Sequence, residues 1–253
     1  MMSWGTKRRN TILFLLFIFI GAPIAFISFK VFYNPPSCFD AKQNGTEEGV
    51  DCGGSCQLIC TNQVIKPVSL WERFFKVSDK NYNLLAYIEN PNTSAYVHDA
   101  HYVFKVYNEK NILIAERRGV TAIAPKSVRP VIENNITTFE QTPSRITFEF
   151  EGDLTYIQTE PQDSIIIIKE EIIENEDTSP RIKAKVQNIS LKKIENIDVA
   201  VLVYDVFDNV LNTSSTFVDR LDPEETRDIV FTWPQKFTDK VARIEVIPIY
   251  DFK

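Results

Sequence analysis

Four cysteines, Cys38, Cys52, Cys56 and Cys60, fall within 23 residues, and the rest of the chain has none. Such a cluster suits three chemistries. Thiolates could hold zinc, but the spacing Cys52-x3-Cys56-x3-Cys60 is poor for a tetrahedral zinc site. Oxidised pairs could crosslink the segment, in any of three pairings that the sequence leaves open. Asp40, Asn44, Glu47, Glu48 and Asp51 lie among the cysteines and are hard oxygen donors of the kind calcium takes. Their order departs from the EF-hand loop, so Asp40, Asn44, Glu47 and Asp51 stand as candidate calcium ligands without a calcium motif. The segment is rich in glycine and acids and poor in apolar residues. It cannot build a core, so crosslinks must hold its shape.

Elsewhere the residues offer little catalytic chemistry. The two histidines, His98 and His101, are three apart, which on a strand points them to opposite faces and prevents a shared metal. No Gly-x-Ser-x-Gly elbow, phosphate-cradling glycine loop or dinucleotide fingerprint occurs. Adjacent acids such as Glu170-Glu171 and Glu224-Glu225 diverge on a strand and read as solvated faces. No catalytic or cofactor-binding residue is expected apart from the calcium candidates. Trp71, Phe74 and Phe75 could form an aromatic platform, but their apolar repeat partners mark them as core of a first strand. Trp233 reads as packing.

The elements that would position these residues begin with a charge-free run, Thr11 to Phe29, rich in Phe, Ile and Leu. It is long enough to span a bilayer, and membrane helices tolerate a proline such as Pro23. The run exceeds a usual signal-peptide core and no small-x-small cleavage site follows, which favours a retained anchor over a cleaved leader. Lys7, Arg8 and Arg9 precede it, so the positive-inside rule places residues 1–10 in the cytoplasm and the chain beyond residue 33 outside. The membrane is thus a partner through residues 11–33. Residues 34–253 carry 24 basic and 34 acidic side chains, which argues against a nucleic-acid or anionic-lipid partner.

Beyond the cysteines the chain repeats itself at an offset of 98 residues. Leu84 to Asn90 lies over Ile182 to Asn188, Ile123-Ala124-Pro125 over Leu221-Asp222-Pro223, and Arg145-Ile146 over Arg243-Ile244. A repeat this long is a small domain used twice. Its texture is that of strands: Tyr102 to Tyr107, Val199 to Tyr204, and the alternating Arg145 to Glu151, broken by turns such as Asn90-Pro91-Asn92 and Asp208-Asn209. The expected fold is an all-β ectodomain of two tandem Ig-like antiparallel β-sandwiches, behind one transmembrane helix and a small disulfide-held segment. The boundaries are a Cys-rich stalk at 34–63, a first repeat at 64–164 and a second at 165–253. The short acidic joint near Lys169 to Pro180 predicts two units placed end to end as a semi-rigid rod.

Two resemblances follow from these residues. The stretch Cys38 to Cys56, with Asn44-Gly45 and Asp51-Cys52-Gly53-Gly54-Ser55-Cys56, resembles a short "DCGGxC" module of secreted and surface-exposed microbial proteins. That resemblance implies an extracytoplasmic spacer. Val201-Leu202-Val203-Tyr204-Asp205, Asn209-Val210-Leu211 and Leu221-Asp222-Pro223 resemble the FxLYD-type and related Ig-like domains of bacterial envelope proteins, with Val201 where that family has Phe. Val103 to Asn108 and Ile123-Ala124-Pro125 match more loosely. The resemblance implies extracytoplasmic modules without a catalytic site. Five Asn-x-Ser/Thr sequons, at Asn44, Asn92, Asn135, Asn188 and Asn212, would suggest glycosylation in a eukaryote and carry no meaning in most bacteria.

The function expected is a non-catalytic binding or scaffolding protein of the cell envelope, anchored by one helix and engaging a protein partner through sheet edges or end loops. The rival readings are a calcium-dependent adhesin or sensor using the 38–60 loop, and an envelope hydrolase.

Overall fold

The computed structural model describes residues 4–32, 35–139, 141–159 and 165–250. Residue 33 at the end of the expected membrane segment, residue 34, and residues 160–164 before the second repeat lie outside the described residues. The chain divides into two compact units, Met1–Cys56 and Gln57–Lys253.

The first unit holds helix α1 (Trp4–Phe32), with Pro23 inside it. Its long apolar side chains are exposed around the whole circumference, Phe17 and Phe19 among them, and none of its most apolar window is buried. An amphipathic surface helix would cover one stripe against a core. This helix covers none, and it is long and apolar enough to cross a membrane.

The second unit is built of antiparallel sheets. Its strands are β1 (Val68–Ser78), β2 (Asn81–Asn90), β3 (Ala95–Tyr107), β4 (Leu113–Ile123), β5 (Ser127–Thr137), β6 (Arg145–Phe150) and β7 (Tyr156–Gln158), then β8 (Ile166–Glu174), β9 (Arg181–Asn188), β10 (Ile194–Tyr204), β11 (Val210–Leu221), β12 (Thr226–Thr232) and β13 (Arg243–Ile249). The first set forms sheets β1-β2-β5 and β4-β3-β6, with β7 beside β3. In the second set, β8-β9-β12 and β11-β10-β13 reproduce the same order. Strand β8 therefore follows β1 at the 98-residue offset, which sets Ile172-Ile173 over Phe74-Phe75.

Three apolar layers hold these sheets together. Leu84, Ala86 and Ile88 of β2 meet Tyr102, Phe104 and Val106 of β3 between the first pair of sheets. Ile182, Ala184 and Val186 of β9 meet Val199, Val201 and Val203 of β10 between the second pair. The third layer joins the repeats: Phe75 and Leu85 pack with Ala200, Leu202, Tyr204 and Val210. Sheets β1-β2-β5 and β11-β10-β13 are thus inner layers, each covered on both faces.

Polar ties cross this junction. Asn212 Nδ2 donates to Lys76 O of β1 (3.4 Å), Asn83 Nδ2 of β2 to Thr213 O (2.6 Å), and Asn134 Nδ2 of β5 to Ser215 Oγ (2.7 Å). Strand β11 therefore passes over β1, β2 and β5 in turn, and the facing strands cross steeply, as in orthogonal sheet packing. The expected end-to-end rod is corrected by this arrangement. The acidic joint does little to space the repeats, because the apolar outer faces of β2 and β10 must leave water and do so against each other.

The segment after Cys56 also joins this unit. Ile59 N donates to Tyr156 O (2.9 Å), Gln158 N to Gln57 O (2.8 Å), and Leu58 bridges Ile157. Asn92 grips Ile65 through both its amide atoms, accepting from Ile65 N (2.8 Å) and donating to Ile65 O (2.6 Å). Ile59 and Val64 pack against the first core. Residues 57–65 are thereby a strap along β7 of the first repeat.

Candidate functional site

The Cys loop is organised by its acids. Asp51 accepts from Asp40 N (3.0 Å) and Ala41 N (3.0 Å), Asp40 from Lys42 N (3.0 Å) and Asn44 Nδ2 (2.9 Å), and Glu47 from Asn44 N (2.9 Å). Cys38 and Cys56 form a disulfide, Cys52 and Cys60 are disulfide-bonded too, and no cysteine is free. Gly54 sits at φ +60° with its α-carbon against the Thr46 carbonyl, where any Cβ would collide. The Asp-Cys-Gly-Gly run is thus a turn that only glycine completes.

The calcium candidates Asp40, Asn44, Glu47 and Asp51 are gathered into this loop, and their carboxylates take up backbone N–H groups that the turns leave unpaired. Cys38, Glu47 and Cys56 place three metal-type ligand atoms within 4.8 Å of one another, but both sulfurs belong to a disulfide and cannot act as thiolates. Asn44 Oδ1 is buried without a hydrogen-bond partner.

A second site, which the sequence reading missed, lies between the repeats. A cavity of about 220 Å³ is lined by Tyr102, Val120, Pro130, Ile132 and Glu133 from the first repeat and by Asp198, Ser215 and Ile249 from the second. Glu133 is held on both oxygens: Tyr102 Oη donates to Oε1 (2.9 Å) and Arg117 Nε to Oε2 (3.1 Å). Burial and the adjacent carboxylate push the Tyr102 phenol well above its usual range, so it stays a donor at neutral pH. Gly119 makes this possible. It pairs with Tyr102 across β4 and β3, and a Cβ there would overlap the Tyr102 hydroxyl and Glu133 Oε1.

Asp198 stands at the rim of the same cavity, exposed on one side. Desolvation on its inner side and, secondarily, the charge of Glu133 raise its pKa. The signal for this site in the sequence is slight. Glu133 and Asp198 are 65 residues apart, and only knowledge of which faces meet would pair them.

The repeated residues turn out to be structural ties. Asn90 is buried and its Nδ2 donates to Ala95 O (2.8 Å) and Ala124 O (3.0 Å); Asn188 is buried and donates to Lys192 O (2.7 Å) and Asp222 O (3.0 Å). Each fastens the β2–β3 turn, or its counterpart, to the turn bearing Pro125 or Pro223. Arg145 lies over the Tyr107 ring at 4.3 Å and Arg243 over Tyr204 at 3.6 Å, a cation–π pair at the same register in both repeats. Asn108 and Asp205 then cap the next turn by accepting two backbone N–H groups each.

The remaining candidates are placed as follows. His98 and His101 are both exposed, because a register shift between Val97 and Ala100 breaks the alternation expected to set them on opposite faces. Phe75 is buried, Phe74 packs on the first core, and Trp71 stacks on Tyr87 at the edge of the junction. Trp233 is buried and donates to Asn212 Oδ1 (3.1 Å). Of the sequon asparagines, Asn188 and Asn212 are buried and Asn135 is exposed.

No family model matches the chain, and no curated protein matches it. Among solved structures it is similar to red sea bream transglutaminase, at 7% identity and a TM-score of 0.24 over 74% of this chain and 32% of that one. It is also similar to a β-glucuronidase from glycoside hydrolase family 2, at 8% identity and a TM-score of 0.21 over 68% and 24%. A Bacteroides uniformis β-glucuronidase gives 10% identity and a TM-score of 0.20 over 68% and 22%. The chain spans about a third or less of these proteins, and likenesses this distant carry no argument about its activity.

Proposed function

We propose that this protein is a single-pass, membrane-anchored component of the bacterial cell envelope, with its β-rich body outside and a non-catalytic binding or scaffolding role. One observation carries the reading: the described apolar side chains of α1 are exposed around its whole circumference, in a chain that continues into a disulfide-bearing segment and antiparallel sheets. Disulfides belong to oxidising compartments, which agrees with an N-in orientation. The residues repeated between the two halves hold turns and strand ends, which is the duty of a scaffold.

Among the sites where a partner could bind, four of the sheet edges are poorly suited. Edge strands β5 and β13 carry Pro130 and Pro248, and edge strands β1 and β8 are bulged near Leu70 and Glu170. Prolines and bulges are devices that keep an edge from pairing with another chain. The edges at β4, β6, β11 and β12, the end loops and the cleft between the repeats remain.

Fractionation with protease treatment of intact cells tests the reading. The account expects a full-length product in the membrane fraction whose residues 35–253 are cut from outside. A shortened soluble product, or full protection of the β-rich body, contradicts it. A rise in melting temperature on adding calcium would move the reading to the calcium-dependent adhesin.

A further inference from the structure

We propose that the cleft between the repeats is a docking site for a lysine side chain of a partner protein. This inference rests on the binding role proposed above and names the chemistry of what is bound.

The cleft lacks one positive charge. Glu133 and Asp198 contribute two carboxylates and Arg117 one guanidinium, and no cation close enough to offset Asp198 is found among the described residues. Among the described residues, none donates a side-chain hydrogen bond to the Asp198 carboxylate. The cleft therefore has a negative charge left over. Its other walls, Val120, Pro130, Ile132 and Ile249, are apolar.

That combination fits an ammonium on an alkyl stem. The stem lies against apolar walls while the head reaches the carboxylates. Arginine fits less well, because both oxygens of Glu133 already receive a donor and only Asp198, at the exposed rim, could take a guanidinium bidentately. A bare calcium ion would want six to eight oxygens, and the walls are half apolar. Both repeats line the cleft, so it exists only while they are packed together.

The test uses n-butylammonium as the probe on the full chain in detergent micelles, followed by amide chemical shifts. Saturable shifts confined to Val131–Glu133 and Asp198–Ala200 are expected, with a Kd of about a millimolar. Asp198→Asn should weaken binding about tenfold, the value of one charge-assisted contact. Val120→Phe, which fills the cleft without altering charge, should abolish it, and Asp228→Asn on the far sheet should leave it unchanged. A native-like spectrum of each variant separates lost binding from lost fold. The proposal is overturned if butylammonium gives no saturable shift there, if Asp198→Asn binds equally well, or if calcium chloride produces the same shifts at lower concentration. These readings come from purified protein, so their failure leaves the membrane anchor standing.

Discussion

Strands β2 and β9 occupy the same place in the two repeats yet read differently. In β9, Ile182, Ala184 and Val186 are buried and alternate with Lys183 and Lys185. In β2, Leu84, Ala86 and Ile88 are matched, but the alternate positions hold Leu85 and Tyr87. The same contrast runs between β3 and β10: at the position where β3 has Lys105, paired with Glu149 on the surface, β10 has the buried Leu202. One sheet of each repeat is polar on its outer face and the other is apolar. The two apolar outer faces, on different sheets of the two repeats, are the ones that meet. A duplicated fold became one body by changing which face of each copy water sees.

Exchanging residues between repeats tests this directly. Leu85→Lys or Leu202→Lys installs the partner repeat's residue at the junction and buries an unpaired charge. Each should cost about 3–5 kcal/mol or unfold the body in urea titrations. The reverse change Lys183→Leu, on an outer face, should move stability by no more than about 0.5 kcal/mol. Equal costs in both directions would mean that the two outer faces are not distinguished by burial.

Next in size come the turn ties. Asn90→Ala and Asn188→Ala each remove at least two buried hydrogen bonds that tie one turn to another, at about 1–3 kcal/mol apiece. Because the two sites are equivalent, the two losses should agree to within about 1 kcal/mol. A loss at one site alone would break the symmetry of the repeat.

The smallest effect sits at the cleft. Asp198 has a pKa raised in the folded state, so ionising it costs more in the folded than in the unfolded chain. Its penalty is present at neutral pH and fades as pH falls through the folded pKa. Asp198→Asn should therefore be the more stable form at neutral pH, by no more than about 1 kcal/mol because the side chain is partly solvated. The gap should close on acidification, as chemical denaturation at several pH values would reveal. A gap that widens instead would mean that Asp198 has a cationic partner.

Much of the fold is legible from residues. The 98-residue offset marks β8–β13 as a second copy of β1–β6, and the alternation in Arg145 to Phe150 marks a half-buried strand. The helix long and apolar enough to cross a membrane is visible as a charge-free run. The packing of the repeats was also written in the chain, in the continuous apolar runs Leu84 to Ile88 and Val199 to Tyr204. Such runs belong to strands covered on both faces, but both can also be read as strands of an isolated sandwich. The cleft was not legible, since Glu133 and Asp198 come together only once β5 and β10 face each other. Nor were the roles of Asn90 and Arg145: a buried asparagine and a cation over a ring follow from strand register, which sequence spacing alone does not convey.

The central claim is that residues 57–253 unfold as one body. Trp71 reports on the first repeat and Trp233 on the second. The full chain in micelles, carrying 5-fluorotryptophan, gives resonances for Trp4, Trp71 and Trp233, assigned with single Trp→Phe variants, and the latter two are followed. The account predicts that both native signals disappear at the same urea concentration, because neither repeat keeps its inner sheet covered without the other. Loss of one signal well before the other would show two repeats that stand independently, and would contradict the shared core.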